Sequence, residues 1–395
     1  MTRPRVALVS AVRTPIGAFG GALRDCSAPF LGSVAIRAAL QRASLAGDQV
    51  DEVILGNVYQ AGNGPNPARV AAIKADLPYP VPAMTINKVC GSGLKAISLA
   101  AQAIMLGDAD CIVAGGMESM SRAPYLLTGT RWGERMGHGK LVDVMLQDGL
   151  WDCFVDCHMG NTAETLARQY RVPRDEQDRY ALQSQQRYQT ALGEGRFADQ
   201  IVPVQVAQRR GPPAEFSTDE APRPDTSGDA LARLRPAFEK DGTVTAGNAS
   251  TLSDGAAAVV VMSEERAAEC GLQPLAWVSG YASAGVDPAI MGIGPAFAIR
   301  SLLARTGLAL SDIDLIEVNE AFAGQVLSVG RELEWDESRV NVNGGAIAMG
   351  HPLGASGTRI AVTALYEMRR RRARRAVAAL CIGGGMGIAV LLEHP

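Results

Sequence analysis

Three residues able to support acyl chemistry sit in glycine-rich contexts: Cys90 in Cys90-Gly-Ser-Gly93, His351 in Gly350-His-Pro-Leu-Gly-Ala-Ser-Gly357, and Cys381 in Cys381-Ile-Gly-Gly-Gly-Met-Gly387. A thiol ahead of a helix faces free backbone N–H groups and the positive helix end, both of which lower the ordinary thiol pKa of about 8.5. Taken singly, Cys90 also fits a buried structural thiol, His351 a satisfied core histidine, and Cys381 a small apolar core residue. Taken together they offer a nucleophile, its base, and a second thiol that shuttles a proton. Gly383 and Gly384 could aim N–H groups at an oxyanion. Asn319, in Asn319-Glu-Ala-Phe322, supplies an amide for a water or a carbonyl. Cys153, Cys157 and His158 lack a second ligand pair at zinc-like spacing, so no metal site is expected.

A duplicated pattern must bring these residues together. Cys90 follows Asn57 by 33 positions, and His351 follows Asn319 by 32. Each lies in a glycine-rich turn that opens an alanine-rich helix, Leu94–Leu106 and Ser356–Met368. Each helix leads to a short apolar strand ending in glycines, Asp110–Gly116 and Val377–Gly384. Earlier in each half, a helix (Leu31–Ala43, Ala296–Thr306) precedes a strand (Asp51–Asn57, Asp312–Asn319). Alternating helices and short apolar strands indicate an α/β fold with sheets covered on both faces. Two-fold arrangements place equivalent turns opposite each other, so Cys90 would meet His351. Between the halves, residues 121–248 are richer in charge and proline and read as a helical and loop insertion, with Glu164–Ala191 its clearest helix.

Composition narrows the class. The chain has 395 residues, 47% of them hydrophobic, which suits a large buried core rather than disorder. A net charge of −3 offers no global attraction to nucleic acid or an anionic membrane. The apolar stretch Ala376–Leu392 is too short to span a bilayer and is broken by glycines, so two strands are expected. Seven dispersed cysteines argue against a disulfide scaffold and for a reducing compartment. The opening residues carry no targeting pattern, and a cytoplasmic location is expected. Arg369–Arg375 reads as a solvated helix end. The 43 glycines are more than an average composition provides.

The motifs together carry a resemblance. Ala11-Val-Arg-Thr-Pro-Ile-Gly17, Asn87-Lys-Val-Cys-Gly-Ser-Gly93, Gly115-Gly-Met-Glu-Ser119, Thr245-Ala-Gly-Asn-Ala-Ser250, Asn319-Glu-Ala-Phe322 and the His351 and Cys381 motifs occur in an order and spacing that resemble the thiolases. Among these the chain is most similar to the acetyl-CoA acetyltransferases; a longer-chain 3-ketoacyl-CoA thiolase is the alternative. The resemblance implies two α/β halves in five αβαβα layers: residues 1–120 completed by about 249–271, and 272–395, with a loop domain at 121–248 that binds CoA. It implies Cys90 as nucleophile, His351 as its base and Cys381 as the residue that deprotonates a second acetyl-CoA. One oxyanion hole would use His351 with a water held by Asn319, the other the N–H groups of Cys90 and Gly383. CoA and acyl contacts carry over to Leu150, His158, Met159, Arg223, Ser250, Met291 and Phe322, with Met159 limiting acyl length. The resemblance further implies acetyl-CoA, acetoacetyl-CoA and CoA as substrates and products in fatty acid metabolism, no separate cofactor, and a homodimer or homotetramer.

Overall fold

The computed structural model describes residues 4–395; the expectation about the opening residues falls partly on Met1 to Arg3, outside that range. The first half contributes strands in the order Val6–Arg13, Ser253–Ser263, Cys111–Ser119, Glu52–Gly56, Ala83–Ile86. The second half repeats the first four places of that order with Ala276–Gly285, Met386–Glu393, Arg375–Ile382 and Leu315–Val318. Within each half, the central strands pair antiparallel and the outer ones parallel, so both sheets are mixed. Ala7 and Leu8 pair with Trp277 and Ala276, which joins the two sheets along their first strands, a continuity the sequence pattern did not suggest. Ala376–Leu392 forms two antiparallel strands around a glycine turn, where Gly384 and Gly385 hold φ of 81° and 79°.

Alternation along the strands assigns the layers. Ala7, Val9, Val113 and Val260 point to an outer core shared with the helices Ala28–Arg42 and Pro67–Lys74. Val6, Leu8, Ile112 and Val261 point the other way, into a core shared with Leu380, Ile388 and Val390 of the second sheet. Helices Ser92–Leu106 and Leu353–Arg371 fill that middle core through Leu94, Ile97, Ile360 and Leu365. Val377, Ala379 and Leu391 face outward onto Ile299 and Leu302 of the Gly294–Thr306 helix. The result is five layers, helix–sheet–helix–sheet–helix.

The two central helices meet closely at their N-terminal ends, with Thr358 Oγ1 and Leu94 Cβ beside the contact. A β-carbon on Gly93 would lie 2.7 Å from the Thr358 backbone nitrogen, and one on Gly357 would lie 2.3 Å from the Leu94 nitrogen. Glycine at both positions lets the helix starts touch backbone to backbone. That crossing aims both helix N-termini, and therefore the turns bearing Cys90 and His351, at one place.

The inserted segment departs from expectation in one respect. Glu164–Ala191 is two helices, Met159–Gln169 and Arg174–Gly193, separated by Arg171 at φ 53° and by Pro173. Proline lacks the N–H that would continue the first helix and disfavours helical backbone in the residue before it. The insertion is anchored to the first strand by Arg13, which is fully buried and donates to both Asp219 oxygens at 2.7 and 2.9 Å. Among the described residues one helix, within Val89–Leu106, is long and apolar enough to cross a membrane, and it is the helix between the two sheets.

Candidate active site

The Cys90 turn is a strained piece of backbone held by its neighbours. Val89 has φ 47°, a region that β-branched residues rarely enter. Asn87 Oδ1 accepts from the Val89 N–H at 2.9 Å. Ser92 Oγ accepts from the Lys88 N–H at 2.8 Å and donates to the Val89 carbonyl at 2.6 Å. The turn lifts Cys90 to the edge of a mostly apolar cavity of about 330 Å3 at the mouth between the halves and the insertion.

That cavity gathers nearly every residue singled out from the sequence. Cys90, His351, Cys381 and Gly383 line it, as do Leu150, His158, Met159, Ser250, Met291 and Phe322. Asn319 lies behind its wall, fully buried, with its amide nitrogen 3.3 Å from His351 Nε2. Arg223 lies apart, in a second cavity of about 180 Å3 that shares Ala246 and Thr251 with the first.

Protonation states differ from the sequence expectation. The Cys90 thiol is pushed up to about 12 because burial outweighs the N–H groups of Gly383 and Cys90 itself, which stabilise a thiolate. The helix start and amides are present, but the apolar cavity wins. Burial, then the neighbouring Cys90, raises Cys381 as well. Burial, then the Arg359 charge, lowers His351 to about 3. At neutral pH the site therefore rests with two thiols and a neutral imidazole. No disulfide joins any of the seven cysteines.

The hydrogen bonds around His351 assign its tautomer. Ser356 Oγ lies 2.6 Å from His351 Nδ1 and donates its one proton to the Pro352 carbonyl at 2.9 Å. It can then only accept from the imidazole, so Nδ1 carries the proton and Nε2 offers a lone pair. His158 takes the opposite tautomer: its Nδ1 accepts the Gly160 N–H at 3.0 Å, capping the helix that begins at Met159, so the neutral ring carries its proton on Nε2. Phe238 stacks on the His158 ring at 4.6 Å.

Several supporting residues escaped the sequence reading. Glu118 is fully buried and accepts from Asn57 Nδ2 and from the backbone N–H groups of Val58, Tyr59 and Gly354, tying together the loops beneath Cys90 and His351. Burial pushes its pKa up to about 7. Glu320 accepts from Tyr180, Ser184, Asn341 and the Ile347 N–H, fixing the residue beside Asn319. Glu118, Arg359 and Glu317 share one visible signal: a charge inside an otherwise apolar or glycine-rich strand or helix. Ser356 sits five residues after His351, within one helical turn of the Pro352 carbonyl.

Comparison with known proteins gives the family and the fold. Residues 6–265 match the thiolase N-terminal domain and residues 272–394 the thiolase C-terminal domain. The chain is 61% identical to an acetyl-CoA acetyltransferase of Pseudomonas aeruginosa, covering 98% of this chain and 99% of that one. The crystal structure of a Bacillus anthracis acetyl-CoA acetyltransferase superposes with a TM-score of 0.98 at 47% identity, over 100% of this chain and 99% of that one. Human mitochondrial 3-ketoacyl-CoA thiolase gives 0.96 at 45% identity, over 99% of each chain. With both halves of the family matched over almost all of the described residues, the chain belongs to the thiolase family and has the thiolase fold.

Proposed function

We propose that the chain is an acetyl-CoA C-acetyltransferase, condensing two acetyl-CoA to acetoacetyl-CoA and CoA and running the reverse thiolysis. The observation that carries this reading is the meeting of Cys90, His351, Cys381 and the Gly383 N–H in one apolar cavity whose wall includes Met159. The proposed steps follow from the resting protonation states. His351 Nε2 takes the Cys90 proton as sulfur attacks the acetyl-CoA carbonyl, and the N–H groups of Cys90 and Gly383 receive the oxyanion. Departing CoA sulfur takes the Cys381 proton, leaving acetyl-Cys90, a Cys381 thiolate and a protonated His351. The thiolate removes an α-proton from the second acetyl-CoA, and the carbanion attacks acetyl-Cys90. Expelled Cys90 sulfur recovers its proton from His351, which restores all three groups.

In this reading Asn319 with His351 serves the oxygen of the second acetyl-CoA. His158, Ser250 and Leu150 hold the pantetheine arm, Met159, Met291 and Phe322 enclose the acyl group, and Arg223 meets the nucleotide end in the adjoining cavity. Residues 1–120 with 249–271, and 272–395, carry the catalytic turns, while 121–248 bind CoA. Seven free cysteines suit a reducing cytoplasm, and the exposed Trp132, Met136 and Leu141 suit a homo-oligomer, dimer or tetramer. A place in fatty acid metabolism follows from the substrates.

The likeness to 3-ketoacyl-CoA thiolase favours one rival, an enzyme accepting longer chains. A β-carbon on Gly383 would stand 2.6 Å from Met159 Cε, so the methionine tip lies directly over the glycine at the reacting end. Thiolysis of acetoacetyl-CoA should exceed that of a medium-chain 3-ketoacyl-CoA by at least tenfold, the discrimination a crowded apolar pocket supplies. A rate that is flat or rising with chain length would replace the short-chain reading with its rival.

A further inference from the structure

Arg359 is an unusual residue to find in the middle of the helix between two sheets. It is 2% exposed, and its Nε and Nη1 have no hydrogen-bond partner among the described residues. Its Nη2 donates to Asn319 Oδ1 at 3.2 Å. Glu317, two residues before Asn319 on the Leu315–Val318 strand and its end, is likewise buried, with Oε1 unpartnered.

The amide of Asn319 has two chemically different ends of nearly the same shape, and the wrong end toward His351 would present an acceptor instead of a donor. Nothing on the strand itself decides between them. A guanidinium does, because it has donors and no acceptor. With Oδ1 bound to Arg359, the NH2 group must face the His351 ring, where it stands 3.3 Å from Nε2 and 3.4 Å from Nδ1. We infer that Arg359 is a positioning residue that fixes the Asn319 amide so that its NH2, not its oxygen, is presented to His351 and to the substrate oxygen beside it. This rests on the functional reading above and deepens it.

The surroundings support a dedicated role. A buried guanidinium is costly to desolvate and contributes little to stability unless well paired. The Glu317 carboxyl is the strongest influence opposing burial at Arg359, yet burial pushes Glu317 itself up to about 8 and the two make no ion pair within contact distance. An apolar side chain of the same length would fill this position at less cost, so retention of the charge is explained by the one hydrogen bond Arg359 does make.

The test removes both buried ionisable groups together, so that neither is left without the other: Glu317→Gln with Arg359→Met, measured alone and combined with Asn319→Ala. The double variant should lose about 100-fold in kcat for condensation, the size of a lost oxyanion donor. Its KM for acetyl-CoA should stay within about twofold, and labelled acetyl should still attach to Cys90 within about tenfold of the parent rate. Adding Asn319→Ala should lower the rate no further than Asn319→Ala does alone. Condensation at the parent rate in the double variant, or losses that multiply, would overturn the inference, as would acetyl-enzyme formation falling as far as condensation. An unmodified chain that fails to condense acetyl-CoA would instead overturn the functional reading, and the role of Arg359 with it.

Discussion

Gly93 and Gly357 stand at the contact where the two central helices begin, each within β-carbon distance of the other helix's backbone. The catalytic turns inherit their separation from this contact. Gly357→Ala should cost about 1–3 kcal/mol by overpacking against the Leu94 nitrogen and should lower kcat with it. Gly193→Ala, where nothing lies within 4 Å, is the control and should leave both nearly unchanged. Denaturant unfolding and steady-state rates on the two variants decide the matter.

Cys90→Ser should nearly abolish turnover. Cys381→Ser should still accept labelled acetyl from acetyl-CoA on Cys90 while losing about 10³-fold in condensation, the contribution of a well-placed acid and base. Absence of label on Cys90 in the second variant would show that the two thiols have been given the wrong roles.

Burial places the Cys90 thiol near 12, above its ordinary value, so at any pH below that it carries less thiolate than a free cysteine. Alkylation by iodoacetamide should therefore be slow at pH 7 and climb about tenfold per unit through pH 10 without levelling. A plateau near 8.5 would mean that the thiol is not held neutral.

Ser356→Ala removes the acceptor that keeps the proton on His351 Nδ1. The imidazole would then populate the other tautomer, with no lone pair at Nε2. Acetylation of Cys90 should slow by roughly 100-fold with KM little changed, the lower end of what general-base catalysis contributes. Rapid-quench acetylation reads this directly, and an unaltered rate would assign the proton elsewhere.

Met159→Ala opens the cavity at the acyl end. The ratio of kcat/KM for a six-carbon over a four-carbon 3-ketoacyl-CoA should rise about tenfold, consistent with one or two methylenes accommodated. An unchanged ratio would place the length limit at Met291 or Phe322.

How much of this was legible in the chain depends on whether a feature is local. The repeated run of turn, alanine-rich helix and glycine-ended strand located both central helices to within a few residues and paired Cys90 with His351. Short motifs located Cys90, His158, Met159, Ser250, Phe322, His351, Cys381 and Gly383, and Leu150 and Met291 came with the family resemblance; Arg223 lies apart, since its surroundings in the proline-rich stretch carry no local pattern. The direction of the Cys90 shift was not legible, because Cys90-Gly-Ser-Gly displays the N–H groups that stabilise a thiolate but not the apolar walls that oppose it. The Ser356 proton assignment and the clamp of Glu118 were equally hidden, because each depends on atoms brought together only by the fold: one across a helical turn, the other across some 236 positions to Gly354. The break at Pro173 is marked in the chain by the proline itself, which cannot continue a helix begun before it.

The middle layer also governs how such a chain can be made. Helix Ser92–Leu106 is apolar enough over the window Val89–Leu106 to resemble a membrane span, with mean hydropathy 1.5. One of its flanks is covered mainly by strands that precede residue 120, with Ser253–Ser263 inserted among them, but the other is covered by Leu353–Arg371, which is synthesised some 250 residues later. Translation at roughly 5–20 residues per second leaves that flank bare for tens of seconds. The same helix that seats the nucleophile is thus the most exposed liability of the nascent chain, and the growing polypeptide should depend on chaperones that shield apolar helices until the second half emerges.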